Sequence, residues 1–190
     1  SSDVCSSDLL IKGKPMVQWV FEQASKAKSI SEVIVATDDN RILEAVNGFG
    51  GNAVMTSADH ESGTDRIAEV VRDRECEVVV NVQGDEPLIA PENIDRVVRP
   101  LLENAIESTV TLRILIKSCE ELMDRNVTKV VVDNSNSALY FSKAPIPWDR
   151  DKWGGDSIEY SSFDPLKSFW YKHIGLYAYR KKFLMGFGSL

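Results

Sequence analysis

The apolar positions along this chain change their period several times, and each change predicts an element. After Pro15, the residues Val17, Val20, Phe21, Ala24 and Ala27 recur at three- and four-residue spacing, which predicts a helix with one buried stripe. Val33-Ile34-Val35-Ala36-Thr37 follows as a short continuous apolar run, the pattern of a buried strand. The alternation then repeats, with a helix over 41–49, a strand over 52–55, a helix over 64–74 and a buried strand over 78–82. Pro91 opens a further helix reaching Asn104, with Ile94, Val97, Val98, Leu101 and Leu102 as its apolar stripe. Helices and strands in alternation predict an α/β fold: a mixed, mostly parallel sheet with helices on both faces.

Beyond residue 108 the texture changes. Val110, Leu112, Ile114 and Ile116 alternate with other residues, and strand-like runs recur over 128–132, 138–142 and 173–179, which predicts partly antiparallel pairing. The stretch 146–167 holds prolines, glycines, serines and acidic residues and reads as a long loop. Ser1 to Leu9 repeats Ser-Ser-Asp and has neither helical nor strand periodicity. It reads as a non-native or disordered leader before one incomplete domain spanning 10–190.

Composition narrows the function classes. A chain of 190 residues with 43% hydrophobic and 27% charged residues has the proportions of one globular domain. A net charge of -7 argues against nucleic-acid or anionic-membrane partners, which need clustered cations for long-range attraction. No stretch has the uninterrupted apolar length of a membrane span, so a cytoplasmic protein is expected. Cys5, Cys76 and Cys119 are odd in number and widely spaced, and only His60 and His173 supply imidazoles, which suggests neither a disulfide framework nor a zinc cluster.

In a parallel sheet, ligands gather beyond the carboxyl ends of the strands. The strand over 78–82 runs into Gln83-Gly84-Asp85, bringing an amide and a carboxylate to the sheet's rim. Asp85 suits a magnesium ion sharing oxygens with a nucleotide, and a turn in which it merely caps the next loop accounts for it equally well. Ser62-Gly63-Thr64-Asp65-Arg66 leads into a helix whose unpaired amides can meet a base edge or an anion. An ordinary N-cap with a solvated Arg66/Glu69 pair fits as well. Lys143 and Arg150 flank a proline-stiffened strand exit and can hold a carboxylate, or stand as solvated charges. His173 and Tyr177, four residues apart, share one face of a strand and can bond a polyhydroxylated ligand or pack as structural residues.

In their order, GKPM, VATDD, HESGTDRIAEVV, NVQGDEPLI, NVTKVVVD, ALYFSKAPIPWDRD and HIGLYAYR closely resemble the 3-deoxy-manno-octulosonate (Kdo) cytidylyltransferases, or CMP-Kdo synthetases, from about Ile11 to Phe187. The resemblance implies a Rossmann-like nucleotidyltransferase fold and transfer of CMP from CTP to Kdo, with release of pyrophosphate, for lipopolysaccharide assembly. It implies Mg2+ and no enzyme nucleophile. Ser62, Gly63, Thr64 and Arg66 would line the nucleotide site. Gln83 and Asp85 would approach the reacting phosphate, with Asp85 as the metal ligand. Lys143, Arg150, His173 and Tyr177 would hold the sugar acid. Family members commonly form homodimers.

Three departures qualify the resemblance. The family begins with a buried strand and a basic, Gly-containing phosphate loop where this chain has Ser1 to Leu9; each lost preorganised donor costs on the order of 100- to 1000-fold in rate, so little activity is expected of 1–190 alone. The absent strand would leave unpaired sheet edges. The chain also stops before the family's second metal-binding aspartate, and Lys143 stands where the family usually has arginine. The rival expectations are a cytidylyltransferase for another sugar acid, such as an N-acylneuraminate, and a silent binding or assembly domain.

Overall fold

The computed structural model describes residues 9–104, 106–150, 163 and 168–187. The leader reading, apart from Leu9, and most of the loop read over 146–167 lie outside the described residues. The polypeptide divides into two compact units, Ser1–Thr111 with Gly175–Leu190, and Leu112–Ile174.

Unit 1 opens with a hairpin of β1 (Leu10–Ile11) and β2 (Lys14–Pro15). Its two connecting residues, Lys12 and Gly13, both have positive φ, 52° and 78°, as a tight two-residue hairpin turn requires. The hairpin is fastened to α1 (Met16–Ala24): Trp19 Nε1 donates to the Ile11 carbonyl at 3.1 Å, and Lys14 pairs with Glu22 at 2.8 Å. The stripe of α1 buries Val17, Val20 and Ala24, as its spacing predicts. β3 (Val35–Thr37) leads to α2 (Asn40–Gly48), whose N-cap Asp39 accepts the Arg41 N–H at 2.8 Å. β4 (Ala53–Met55), α3 (Gly63–Val71), β5 (Val78–Asn81) and α4 (Pro91–Glu103) follow. α4 starts on Pro91 and buries Ile94, Val97, Val98 and Leu101.

β3 pairs in parallel with β4, from Val35↔Ala53 to Thr37↔Met55. α3 then sets the direction of β5. Near its start, Arg66 bonds Asp38 just beyond the end of β3; past its end, Arg74 bonds Glu32 just before the start of β3. The helix therefore runs back along β3, and β5, which follows it, runs parallel to β3. β5 pairs antiparallel with the later part of β9 (Tyr171–Arg180), from Val78↔Arg180 to Asn81↔Tyr177. Two cations at the close of β9 finish two helices. Arg180 donates to the carbonyls of Leu101 and Asn104 at the end of α4, and Lys181 to those of Arg72 and Arg74 after α3. Carbonyls left over at a helix C-terminus carry partial negative charge, and a cation satisfies both the bond and the dipole. α6 (Lys181–Phe187) completes unit 1, packing Leu184 with Val71, Val79 and Tyr179.

Unit 2 holds the later part of β6 (Thr109–Leu115), α5 (Cys119–Met123), β7 (Lys129–Val132), β8 (Ala138–Ser142) and the first residues of β9. β7 pairs antiparallel with β8, and with β9 through Lys129↔Lys172 and Val130↔Tyr171. Ile116, Leu122 and Trp170 form its core.

Parallel and antiparallel pairings both occur, as expected, but they lie in separate sheets, and the parallel share is smaller than the alternation implies. Among the described pairings that fix a direction, β3 with β4 is parallel, while those of β5, β7 and β8 are antiparallel. β9 returns antiparallel along β5, and among the described residues β3 and β5 are not paired with each other. A second correction concerns burial: Val33 to Ala36, apolar enough for a strand covered on both faces, are only half-buried.

Lys129 is fully buried. Its Nζ donates to the carbonyls of Asp124, Val127 and Lys143 at 2.6, 3.0 and 3.0 Å, closing the turn before β7 onto the exit of β8. Desolvation pushes its pKa below the ordinary lysine value. Lys129→Met keeps most of the side-chain volume but strands three acceptors, each worth ~1–3 kcal/mol when buried and unsatisfied. Partial rehydration at the turn should reduce the sum to about 3 kcal/mol, read as a lower urea midpoint at unchanged m-value.

Candidate active site

The start of α3 carries four of the sequence-predicted residues. Ser62 is its N-cap, and its hydroxyl accepts the Asp65 N–H at 3.2 Å while donating to the Asp65 carboxylate at 2.6 Å. This reciprocal cap explains why the helix begins at Gly63. Thr64 lies near the Tyr179 hydroxyl, whose pKa burial pushes up and Thr64 draws part of the way back. Arg66 spans two strand exits, with Nη2 on Asp38 at 2.8 Å and Nη1 on the Thr56 hydroxyl at 2.5 Å. The alternative of a solvated Arg66/Glu69 pair gives way to separate partners. Glu69 accepts the Ser57 N–H at 3.1 Å and meets His60, and these bonds hold its carboxyl below the usual range, the His60 contact first.

Asp38, Thr56 and the His60–Glu69 contact escape the sequence reading. Asp38 carried a signal, since it directly follows the strand in VATDD. The others depend on how far a loop folds back onto a helix, which spacing does not encode.

After β5 the chain turns, with the Glu86 N–H bonding the Gln83 carbonyl at 3.3 Å. Gln83 Nε2 reaches the buried Asn81 side chain at 3.4 Å, while the Asp85 carboxylate is exposed and makes no hydrogen bond among the described residues. A magnesium ion takes hard oxygen ligands and commonly keeps several from substrate and water. Asp85 fits as one such ligand. Among the described residues no group of three His, Cys, Asp or Glu side chains converges, so the remaining oxygens would come from nucleotide and water. Tyr177 stacks on Tyr179 at 6.0 Å, and burial, then Tyr179, raises its pKa.

A cavity of about 470 Å³ lies in unit 1. At the end where β3 and β5 finish, its lining includes Asp38, Gly63, Arg66, Gln83 and Gly84; deeper in, it is formed by apolar residues of α1 and α3 and by the two strands. The apolar interior does not suit a triphosphate, because burying phosphate charge without paired cations is prohibitive. The polar end does.

In unit 2, Lys143 is exposed and donates to the Asn126 carbonyl at 2.9 Å. The ring of His173 meets the edge of Phe141 at 5.0 Å. Burial, then the Lys143 ammonium, pushes the His173 pKa below the ordinary histidine value, so the ring is neutral at neutral pH. Arg150 is exposed beyond the cis Ile146–Pro147 bond.

Comparison with known proteins adds sequence-wide likeness to this geometry. A family described as cytidylyltransferase matches residues 9–190. The 3-deoxy-manno-octulosonate cytidylyltransferase of Geobacter sulfurreducens is 51% identical over 180 residues, covering 95% of this chain and 71% of that protein. The enzyme of the same name from Pelobacter propionicus is 48% identical over 181 residues, covering 95% and 70%. Among solved structures, CMP:2-keto-3-deoxy-manno-octonic acid synthetase complexed with CTP superposes with a TM-score of 0.86 at 39% identity, over 100% of this chain and 73% of that one. At 16% identity and a TM-score of 0.56, the 4-diphosphocytidyl-2C-methyl-D-erythritol synthase of Anaerococcus prevotii shares the fold, over 95% of this chain and 68% of that one.

With two histidines in the chain, His173 is open to assignment by NMR. It should titrate below the ordinary histidine value, and Lys143→Gln should move it only part of the way back, because burial is the larger cause. Linkage fixes the sign for stability: between the ordinary value and the depressed one the unfolded chain binds the extra proton, so stability falls as pH drops through that window.

Proposed function

This chain belongs to the cytidylyltransferase family, and on that premise we propose that it transfers CMP from CTP to 3-deoxy-manno-octulosonate, giving CMP-Kdo and pyrophosphate. The observation that carries the reading is the polar end of the unit 1 cavity, where Gly63, Arg66, Gln83 and Gly84 gather beside Asp38 in a chain 51% identical to a cytidylyltransferase for that sugar acid.

In this reading the anomeric hydroxyl of the sugar attacks the α-phosphorus in line and pyrophosphate leaves, so the protein's work is positioning and charge stabilisation. Ser62, Gly63, Thr64 and Arg66 take the cytidine. Arg66 needs little ordering when the nucleotide arrives, because Asp38 and Thr56 already fix its guanidinium. Gln83 and Asp85 serve the reacting phosphate, and a magnesium ion held by Asp85 would neutralise phosphate charge. Lys143 and Arg150 answer the sugar's carboxylate, and the neutral ring of His173, with Tyr177, answers its hydroxyls. A net charge of -7 repels anions at long range, so these local groups must supply the attraction. The same proposal includes a cytoplasmic homodimer working in lipopolysaccharide assembly.

Pyrophosphate release from CTP, Kdo and magnesium tests the reading, comparing this chain with one extended to the full length of its relatives. Turnover in the extended chain that needs all three components supports it; folded protein silent in both forms overturns it. In the active form, Asp85→Asn should lower kcat about 100-fold, the scale of losing one charge-stabilising group, with partial recovery at high magnesium. Arg66→Lys keeps the charge and loses the fork, and should raise the KM for CTP about tenfold with a smaller effect on kcat.

A further inference from the structure

We propose that Trp170 is a positioning residue for the sugar acid: its indole N–H fixes the start of the path to Arg150, so that the guanidinium is in place before the carboxylate arrives. The proposal rests on the reading above, in which Lys143 and Arg150 answer that carboxylate. All the residues concerned belong to unit 2.

Trp170 lies just before β9 and is buried with Ile116 and Leu122. Its backbone is tied to the residue after β6: the Ile116 N–H donates to the Trp170 carbonyl at 2.9 Å, and the Ser168 hydroxyl donates to the Ile116 carbonyl at 2.8 Å. Phe169 and Phe163 stack on the ring, with centroids at 4.1 and 5.7 Å. Backbone and ring contacts together leave the indole little freedom, and its Nε1 donates to the Pro147 carbonyl at 2.7 Å. A buried indole needs an acceptor for its N–H. Here the acceptor lies on the stretch between the two cations.

That stretch depends on anchors from outside. Pro145 and Pro147 have no N–H to give. Among the described bonds, two of its carbonyls accept from buried side chains, Lys143 from Lys129 at 3.0 Å and Pro147 from Trp170. The first bond sets where Lys143 leaves β8. The second sets where the path to Arg150 begins, three residues on, at most ~11 Å of chain. Pro147 is exposed, so water can serve its carbonyl when the indole does not. Losing the bond therefore loosens a position more than it unfolds a core. An arginine fork holds a carboxylate by two parallel bonds, and a fork that must first be ordered binds more weakly.

Steady-state kinetics on the chain extended to the full length of its relatives test this with two changes at one position. Trp170→Phe keeps an aromatic ring and removes the donor. Replacing the indole by benzothiophene keeps both fused rings and removes only the N–H. Each should raise the KM for Kdo about tenfold, the scale of ordering one long side chain on binding, and leave the KM for CTP within about twofold. Added to Arg150→Gln, either change should raise the KM for Kdo no further, because its effect passes through that guanidinium. The proposal is overturned if phenylalanine raises the KM and benzothiophene does not, which assigns Trp170 to packing alone. It is overturned equally if the two KM values rise together, or if the effects at 170 and 150 multiply. Arg150→Gln with an unchanged KM for Kdo also overturns it, by removing the group it acts on. Failure of the parent reading looks different: a folded, extended wild-type chain that releases no pyrophosphate removes both, whereas normal turnover unmoved by either change at 170 removes this inference alone.

Discussion

Helix α3 is tied at both ends to the strand it runs along, by Arg66 to Asp38 and by Arg74 to Glu32, and most of unit 1 follows from that double tether. It sets the direction of β5 and brings the start of the helix beside the strand exits. The cavity of unit 1 is lined by both of the strands that α3 orients. The ion pairs themselves are partly exposed, where each contributes only about 0–1 kcal/mol. Their effect is geometric, fixing which ends meet. The energy that holds α3 comes from Val71 with Val79, Tyr179 and Leu184.

Much of this was legible in the sequence where period and punctuation agree. The stripe of α4, the proline at its start and an N-cap at the start of α3 are local signals, and each appears within a residue or two of its expected position. The turn bearing Gln83 and Asp85 was legible for the same reason, since a buried strand ending in a Gly-Asp turn has few other shapes. The short helices α5 and α6 were not, because five and seven residues are too few to establish a 3.6 period. The antiparallel return of β9 was hidden as well: a strand's own pattern reports which faces are covered, while the direction of its neighbour depends on chain that lies far off in sequence. The same holds for Arg66, whose partners are 10 and 28 residues away.

Several cations in this acidic chain donate to backbone carbonyls. Lys129 closes a turn, Arg180 and Lys181 finish α4 and α3, and Lys143 reaches a carbonyl. Each bond satisfies an acceptor that would otherwise need water, while the cation keeps its charge.

The cations at the close of β9 also have a consequence for how the polypeptide is made. Unit 1 is assembled from two stretches separated by the whole of unit 2. On the ribosome, the ends of α3 and α4 emerge long before Arg180 and Lys181, and at about 5–20 residues per second the interval lasts several seconds. During that time the nascent chain carries two helices with unfinished carbonyls and a β5 awaiting its partner, while unit 2 is already emerging. Vectorial synthesis thus favours settling the inserted unit first, and leaves closure of the unit that began the chain to the arrival of its last strand.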